Sequence, residues 1–133
     1  MPIIPGMTEL TKPYWDAARE GRLAVQHCVA CDRVWHPPLP RCPHCHGVDV
    51  DWVTASGRGT VCSHTVVDHP THVALRDRVP YVVAMIELEE GPRVIANVRE
   101  CAPEDVRVGM PVQVVFEPVA GGVVLPQFRR VTA

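Results

Sequence analysis

Two C-x-x-C pairs near the N-terminus constrain the fold of this chain more than any other feature of its sequence. Cys28 and Cys31 form the first pair, Cys42 and Cys45 form the second, and ten residues separate the pairs. A tetrahedral zinc ion takes four soft or borderline ligands at about 2.0–2.3 Å, which two short turns facing each other can supply. The spacing therefore predicts a structural zinc site with these four cysteines as its ligands.

The same cysteines leave two chemical alternatives open. A dithiol redox site would need only one pair, at the start of a helix in a βαβ unit, and neither pair has that context. A catalytic zinc keeps one position open for water beside three protein ligands, whereas four thiolates close the site. Catalysis there would require a nearby histidine to replace a cysteine: His27, His36, His44 or His46. We therefore expect a metal that stabilises the fold, and we assign no catalytic residue.

Size and charge narrow the classes of protein to which the chain can belong. Its 133 residues allow one compact domain or two very small ones. The formal net charge of −2 argues against a nucleic-acid binder, which usually carries a basic excess. No apolar run approaches the roughly 20 residues needed to cross a bilayer, and the first six residues do not resemble a secretory signal. A cytoplasmic protein is expected.

The first segment, residues 1–22, is predicted to contain a short helix over about residues 8–22. Thr11 is a candidate cap, Pro13 is tolerated in the first turn, and Gly21 suits the C-terminal end. The apolar residues of the helix repeat at helical spacing: Leu10, Tyr14, Trp15 and Ala18. This face either docks a partner or packs against the rest of the chain, and the sequence favours neither.

The second segment, residues 23–55, is predicted to be the zinc ribbon. Residues 23–27 and 34–35 alternate as short strands around the first cysteine pair, and a return strand runs through Val50 and Trp52. The proline-rich residues 37–40 require an irregular crossing between the two pairs. Segments this short bury little surface, so zinc must stabilise them, by an apparent free energy on the order of 10 kcal/mol.

The third segment, residues 56–133, has the pattern of a small β-barrel. Five runs rich in β-branched residues predict strands over 59–67, 81–88, 93–98, 112–116 and 123–131. Residues 89–92 predict a hairpin turn, and residues 102–110 predict a short helical turn. Three strands, a helical interruption and two more strands is the order of an OB-fold.

The order of motifs along nearly the whole chain resembles the DUF35 family of zinc-ribbon/OB-fold proteins. The matching stretches are Pro13–Leu23, the two cysteine pairs with Pro37-Pro38 between them, Ser56–Thr60, Glu104–Val112 and Leu125–Phe128. The resemblance supports a mainly β architecture, with an N-terminal helix, a rubredoxin-like zinc ribbon and then a five-stranded OB-fold barrel. One departure is that Asp32 and His46 follow the cysteine pairs, where glycine often supplies a left-handed backbone.

The resemblance implies a non-catalytic accessory subunit of a thiolase-like enzyme. In such complexes the partner carries the acyl-CoA chemistry, and some of these proteins pair with a lipid-transfer-protein-like aldolase. That aldolase makes a retro-aldol cleavage in bacterial steroid side-chain breakdown. The module can also follow a hotdog-fold hydratase domain in one chain. The expected assembly is therefore a heteromer, with the acyl-CoA substrate bound in the complex.

Other reactive residues receive structural interpretations. Cys62 and Cys101 are expected to be small buried hydrophobic residues. A His–Asp pair drawn from His64, Asp68, His69 and His72 lacks a nucleophile, and Glu87, Glu89 and Glu90 resemble a solvated edge. Four arginines could contact CoA phosphates, although no glycine-rich phosphate loop accompanies them: Arg58, Arg76, Arg78 and Arg99.

Nucleic-acid binding is the alternative function, because zinc ribbons and OB barrels both serve that role. Single-strand binding needs exposed aromatic residues and a basic groove. The barrel offers only Tyr81, Phe116 and Phe128 among mixed charges, and Tyr81 and Phe116 fall where core positions are expected. Accessory-subunit function is therefore favoured.

Overall fold

A computed structural model describes residues 5–131, which contain one α-helix and eight β-strands. The elements are α1 (Lys12–Arg19), β1 (Leu23–Cys28), β2 (Val34–Trp35), β3 (Val50–Ala55), β4 (Arg58–Val67), β5 (Tyr81–Leu88), β6 (Arg93–Arg99), β7 (Pro111–Pro118) and β8 (Val124–Arg130). The ends of the predicted segments 1–22 and 56–133 lie outside the described residues. The predicted mainly β architecture is confirmed.

The ribbon is a three-stranded antiparallel sheet with the order β2-β1-β3. Leu23 and Val25, on one face of β1, pack in the same core as the barrel. Strand β1 pairs along its whole length with β3, from Leu23 opposite Ala55 to Cys28 opposite Val50. Strand β2 contributes only Val34 and Trp35. The predicted return strand is therefore present, and it runs three residues beyond Trp52, to Ala55.

The five remaining strands form a closed barrel with the order β4-β5-β6-β8-β7. Strand β4 closes it by pairing with β5 along its length and with β7 at residues 58–60. Strands β6 and β8 run parallel and pair only at Val98–Phe128 and Arg99–Arg129. The short helical turn before β7 is a single 3₁₀ turn, Pro103–Asp105. This is the predicted OB-fold order of strands.

The N-terminal helix is shorter than predicted, because it spans Lys12–Arg19 rather than residues 8–22. A helix from residue 8 would place Pro13 in its interior, where the proline ring clashes with the carbonyl four residues earlier. Leu10 therefore lies before the helix and is 38% exposed. Thr11 occupies the predicted cap position, but its side chain makes no cap hydrogen bond and contacts Thr8 instead.

Gly21 ends the helix as predicted, with a positive φ of 78°. Its N–H donates to the carbonyl of Ala18, and the N–H of Arg22 donates to the carbonyl of Ala17. This pair of bonds is the Schellman motif, which satisfies two terminal carbonyls and favours glycine at the left-handed position. The turn leads the chain directly into β1.

One hydrophobic core joins the ribbon sheet to the barrel. Leu23, Val25 and Ala55 of the ribbon sheet belong to the same buried cluster as the barrel residues Ile86 and Phe128. Phe128 is completely buried, whereas Tyr81 and Phe116 are only half-buried. Phe116 packs against this core as expected, although it is only partly buried. The expectation of a core position for Tyr81 was wrong, because Tyr81 begins its strand at the barrel rim.

No helix within residues 5–131 is long and apolar enough to span a membrane.

Candidate functional site

The two cysteine pairs lie in turns that repeat the same backbone hydrogen bonds. In each turn, the residue after the second cysteine donates its N–H to the carbonyl of the first cysteine. The N–H of the first cysteine donates in return to the carbonyl of the residue two positions after the second cysteine. The bonds are Asp32 to Cys28 (2.8 Å), His46 to Cys42 (2.9 Å), Cys28 to Arg33 (2.8 Å) and Cys42 to Gly47 (3.0 Å). The turns are therefore two copies of one local structure that face each other.

Asp32 and His46 keep the left-handed backbone that glycine usually supplies at these positions. Their φ angles are 62° and 64°. Aspartate tolerates this conformation better than most residues, because its short side chain can make local hydrogen bonds. The departure from the family pattern at these two positions therefore leaves the geometry of both turns intact.

The turns bring the four predicted ligand atoms together. The Sγ atoms of Cys28, Cys31, Cys42 and Cys45 all lie within 4.8 Å of one another. The Sγ atoms are 3.6 Å apart for Cys28 and Cys45, and also for Cys31 and Cys42. Tetrahedral zinc with bonds of about 2.3 Å to sulfur would need sulfur atoms roughly 3.8 Å apart. The cluster therefore has the size and donor set of a four-thiolate zinc site.

Backbone N–H groups point at two of the four sulfur atoms. The N–H of Cys31 points at Sγ of Cys28 (3.4 Å), and those of His44 and Cys45 point at Sγ of Cys42 (3.3 and 3.4 Å). Burial of Cys42 opposes ionisation, but hydrogen bonds to its sulfur, led by those from the Cys45 and His44 N–H groups, lower the pKa of Cys42 to about 6. Because the thiolate is the form that binds metal, Cys42 suits the role of ligand.

The nearby histidines do not join the sulfur cluster. Within residues 5–131, the group that could hold a metal ion contains the four cysteines alone. His27 engages both ring nitrogens with carboxylates, Nε2 with Asp32 at 2.6 Å and Nδ1 with Asp51 at 2.8 Å, and these contacts raise its pKa. His44 Nδ1 lies 3.1 Å from the Arg33 guanidinium. The arrangement is that of a closed structural site.

The His–Asp candidates at the start of the barrel do not form a catalytic pair. His72 accepts a hydrogen bond from the N–H of Ala74, while Asp68 and His69 are exposed. His64 is half-buried, and its Nδ1 has no partner among the described residues. The structure therefore does not bring these side chains together.

Cys62 and Cys101 are half-buried rather than buried. The Sγ of Cys62 donates to the carbonyl of Met85 at 3.2 Å, next to a register shift in β4. Cys62 is the extra residue at this bulge, because Val61 pairs with Ile86, Ser63 pairs with Met85 and no residue of β5 lies opposite Cys62.

The four arginines separate into different environments. Arg58 forms a two-bond contact with Glu89, with Nε and Nη2 at 3.1 and 2.9 Å from the carboxylate, and this contact lowers the pKa of Glu89. Arg78 and Arg99 instead converge on Glu117, and Arg76 is exposed. Glu87, Glu89 and Glu90 are exposed at the barrel surface, as expected for a solvated edge.

Arg78, Arg99 and Glu117 lie in a groove that the sequence did not predict. We call it the OB groove: a cavity of about 660 Å³ between α1, the β4–β5 connection, β6 and the β7–β8 hairpin. Trp15, Tyr81 and Leu125 line its walls, and Asn97 and Gln127 line its floor. The lining residues come from α1, four strands and the connections between strands, so no local pattern could indicate the groove. The only usable signal was the OB-fold order itself, whose loops commonly frame a binding face.

The fold and the cysteine cluster define a protein with a zinc ribbon joined to an OB-fold. Two sequence models of one family match consecutive parts of the chain: "ChsH2, rubredoxin-like zinc ribbon domain" over residues 15–51, and "ChsH2, C-terminal OB-fold domain" over residues 52–117. The chain belongs to the DUF35 family, of the ChsH2 type.

A solved structure described as "Ltp2-ChsH2(DUF35) aldolase" contains a chain that is 40% identical to this one. The TM-score is 0.87, and the match covers 96% of this chain and 98% of that one. The two chains therefore share their whole architecture.

Two longer relatives are named as hydratase subunits. A "probable enoyl-CoA hydratase alpha subunit" from Thermomonospora curvata is 43% identical over 87% of this chain. A "3-oxo-4,17-pregnadiene-20-carboxyl-CoA hydratase alpha subunit" from Mycobacterium tuberculosis is 38% identical over 84% of it. The chain spans only 36% and 35% of the lengths of these two relatives.

Proposed function

We propose that this protein is an accessory subunit of an acyl-CoA aldolase and is not catalytic by itself. The observation that supports this most is the match to the ChsH2 chain of an aldolase, which extends over almost the full length of both chains. The sulfur cluster agrees with that role, because four cysteines leave no ligand position for a reacting water. Cys28, Cys31, Cys42 and Cys45 would bind one structural zinc ion.

The proposed partner is a thiolase-like enzyme of the lipid-transfer-protein-like kind, which would cleave a hydroxylated acyl-CoA by a retro-aldol step. The names of the longer relatives include a CoA thioester with a pregnadiene skeleton, which favours a steroid side chain as the substrate class. Those names also support a hydratase as a second partner, and the proposed fold of that hydratase is the hotdog fold. The acyl-CoA would be bound in the complex, and the complex would be cytoplasmic.

Affinity purification from the native host tests this proposal. The bait is the zinc-loaded chain carrying a C-terminal tag, and the control bait is the Cys42→Ser variant, which should lose tightly bound zinc and have a destabilised ribbon. We expect the first bait to recover a thiolase-like protein in a fixed ratio, and the control to lose it. Recovery of nucleic acid or a polymerase component instead would replace the proposal with the nucleic-acid-binding alternative.

Activity measurements separate the subunit role from catalysis. The recovered thiolase-like protein is assayed for acyl-CoA cleavage alone, with the chain, and with the Cys42→Ser variant. We expect cleavage only with the intact chain, and none from the chain alone. If the chain cleaved the thioester without a partner, the accessory role would be wrong.

A further inference from the structure

The OB groove combines apolar walls with a small surplus of positive charge. Its volume of about 660 Å³ falls within the range of roughly 300–1,000 Å³ that is usual for small-ligand sites. Two aromatic side chains, Trp15 and Tyr81, and the aliphatic Leu125 form its walls. Rigid aromatic surfaces of this kind favour an apolar body, since they bury large areas at low entropic cost.

The floor of the groove is internally satisfied. The backbone N–H of Asn97 donates to Oε1 of Gln127 at 2.7 Å, and Nε2 of Gln127 donates to Oδ1 of Asn97 at 3.2 Å. The side-chain amide of Asn97 also donates to the carbonyl of Val82 at 3.0 Å. The two bonds between Asn97 and Gln127 bridge β6 and β8 where their backbones do not pair, and the third joins β6 to β5. The floor therefore makes little demand for polar groups on a ligand.

One end of the groove carries charge. Nη2 of Arg78 lies 2.6 Å from Oε1 of Glu117, and Nε of Arg99 lies 3.5 Å from Oε2. Among the residues that the structure describes, these three are the charged residues that line the cavity. Two guanidinium groups thus face one carboxylate, and each guanidinium has N–H donors beyond those directed at Glu117. The surplus is one positive charge.

We propose that the OB groove is a binding site for a small organic acid with an apolar body and a single carboxylate. The apolar part would lie against Trp15, Tyr81 and Leu125, and the carboxylate would bind Arg78 and Arg99 beside Glu117. Guanidinium forks match the planar carboxylate geometry. A polyanion such as single-stranded nucleic acid requires a longer basic surface than one net charge provides. All of its residues belong to this chain, so the site can be tested without the proposed partner.

Titration of the full, zinc-loaded chain with decanoate tests the site. Decanoate has an apolar chain and one carboxylate, and decanol and decylammonium are its neutral and cationic counterparts, all used below their aggregation concentrations. Amide NMR spectra should show saturable shifts at the Trp15 indole and the side-chain amides of Asn97 and Gln127. We expect decanoate to bind about tenfold more tightly than decanol, the usual effect of one charge-assisted hydrogen bond.

Substitutions at the charged end should move the affinity in opposite directions. Arg99→Gln should reduce decanoate affinity about tenfold without changing that for decanol, and Arg99→Lys should restore part of it. Glu117→Gln should tighten decanoate binding, since it frees both guanidinium groups. Arg58→Gln is the matched control, because Arg58 pairs with Glu89 outside the groove.

The proposal is wrong if the folded, zinc-loaded chain shows no saturable shifts at the groove, or if decanol or decylammonium binds as tightly as decanoate. It is also wrong if Glu117→Gln weakens decanoate binding while the chain remains folded. None of these results bears on whether a thiolase-like partner co-purifies, so the two proposals can fail separately.

Discussion

Cys42 is the ligand candidate whose surroundings are most specialised. Its side chain is completely buried, and two backbone N–H groups point at its sulfur. Replacing it with serine removes the thiolate and leaves a buried hydroxyl among three remaining cysteines. We expect Cys42→Ser to lose tightly bound zinc and to destabilise the chain by at least about 3 kcal/mol. Zinc content after dialysis and urea unfolding measure both effects.

Cys62→Ser is the control for this substitution. Cys62 is half-buried in β4 and lies outside the sulfur cluster. The variant should keep one equivalent of zinc and unfold close to the parent. Retention of a full equivalent of tightly bound zinc by Cys42→Ser would contradict the assignment of four cysteine ligands.

His36 provides a pH dependence that can be assigned to one residue. Its ring stacks on Tyr14 with centroids 5.3 Å apart, and burial lowers its pKa below the usual 6.5. The unfolded chain therefore binds a proton at His36 before the folded chain does. Above about pH 6.5, His36 therefore does not reduce the free energy of unfolding. As the pH decreases from there through the lowered native pKa, the free energy of unfolding falls.

Urea unfolding of the parent and His36→Gln between pH 7.5 and pH 5.5 measures this dependence. We expect the parent to lose more stability than the variant over that window. Zinc content is monitored at each pH, so that loss of metal is not mistaken for titration of His36. Parallel pH profiles for the two proteins would show that His36 is not the titrating group.

Substitution of Gly59 tests how closely the strands pack where the barrel closes. Gly59 lies in β4 where that strand pairs with both neighbours, opposite Leu88 and Val112. A Cβ atom added there would lie 2.7 Å from the carbonyl oxygen of Glu87 and 2.7 Å from Cγ2 of Ile86. Because backbone blocks the methyl group, Gly59→Ala should cost about 1–3 kcal/mol or more in the free energy of unfolding.

Substitutions of two other glycines provide comparisons for the unfolding of Gly59→Ala. Gly21→Ala adds a methyl group to open space at a φ of +78°, so it should cost about 1–2 kcal/mol from backbone strain alone. Gly6→Ala meets no atom within 4 Å and should be nearly neutral. The urea midpoint should be lowest for Gly59→Ala, intermediate for Gly21→Ala and highest for Gly6→Ala. A Gly59→Ala midpoint equal to that of Gly6→Ala would mean that the strands move apart without cost.

Features set by neighbouring residues were predictable from the sequence. The cysteine turns, the Gly21 helix end and the hairpin turn at residues 89–92 depend on local spacing and backbone preference. The strand order followed from the number and position of the strands, given the OB-fold pattern. Local signals therefore carried most of the fold and the whole cysteine cluster.

Features set by contacts between distant strands were not predictable. Arg78 and Arg99 meet Glu117 across 39 and 18 positions of sequence, and no periodicity relates them. The register shift between Val61 and Ser63 likewise changes which face a side chain occupies, and alternation alone cannot locate it. The half-buried position of Tyr81 at the barrel rim, where a core position was expected, likewise depends on these long-range contacts.

At the scale of the whole molecule, the shared core couples the metal to the barrel. Leu23 and Val25 belong to β1, whose last residue is the candidate ligand Cys28, and both pack in the cluster that contains Phe128. A ligand that binds only the folded state stabilises everything that unfolds with it. Metal removal should therefore weaken the barrel as well as the ribbon.

A chelator titration followed by amide NMR measures this coupling. We expect signals of Val25 in the ribbon and Phe128 in the barrel to lose intensity together in urea, at a midpoint that falls when zinc is removed and recovers when zinc is returned. The chain lacking zinc should still unfold in one transition, because Ala55 and Leu23 pack against the barrel without the metal. Barrel signals that keep their midpoint after zinc removal would contradict the coupling and show that the ribbon unfolds as a separate unit.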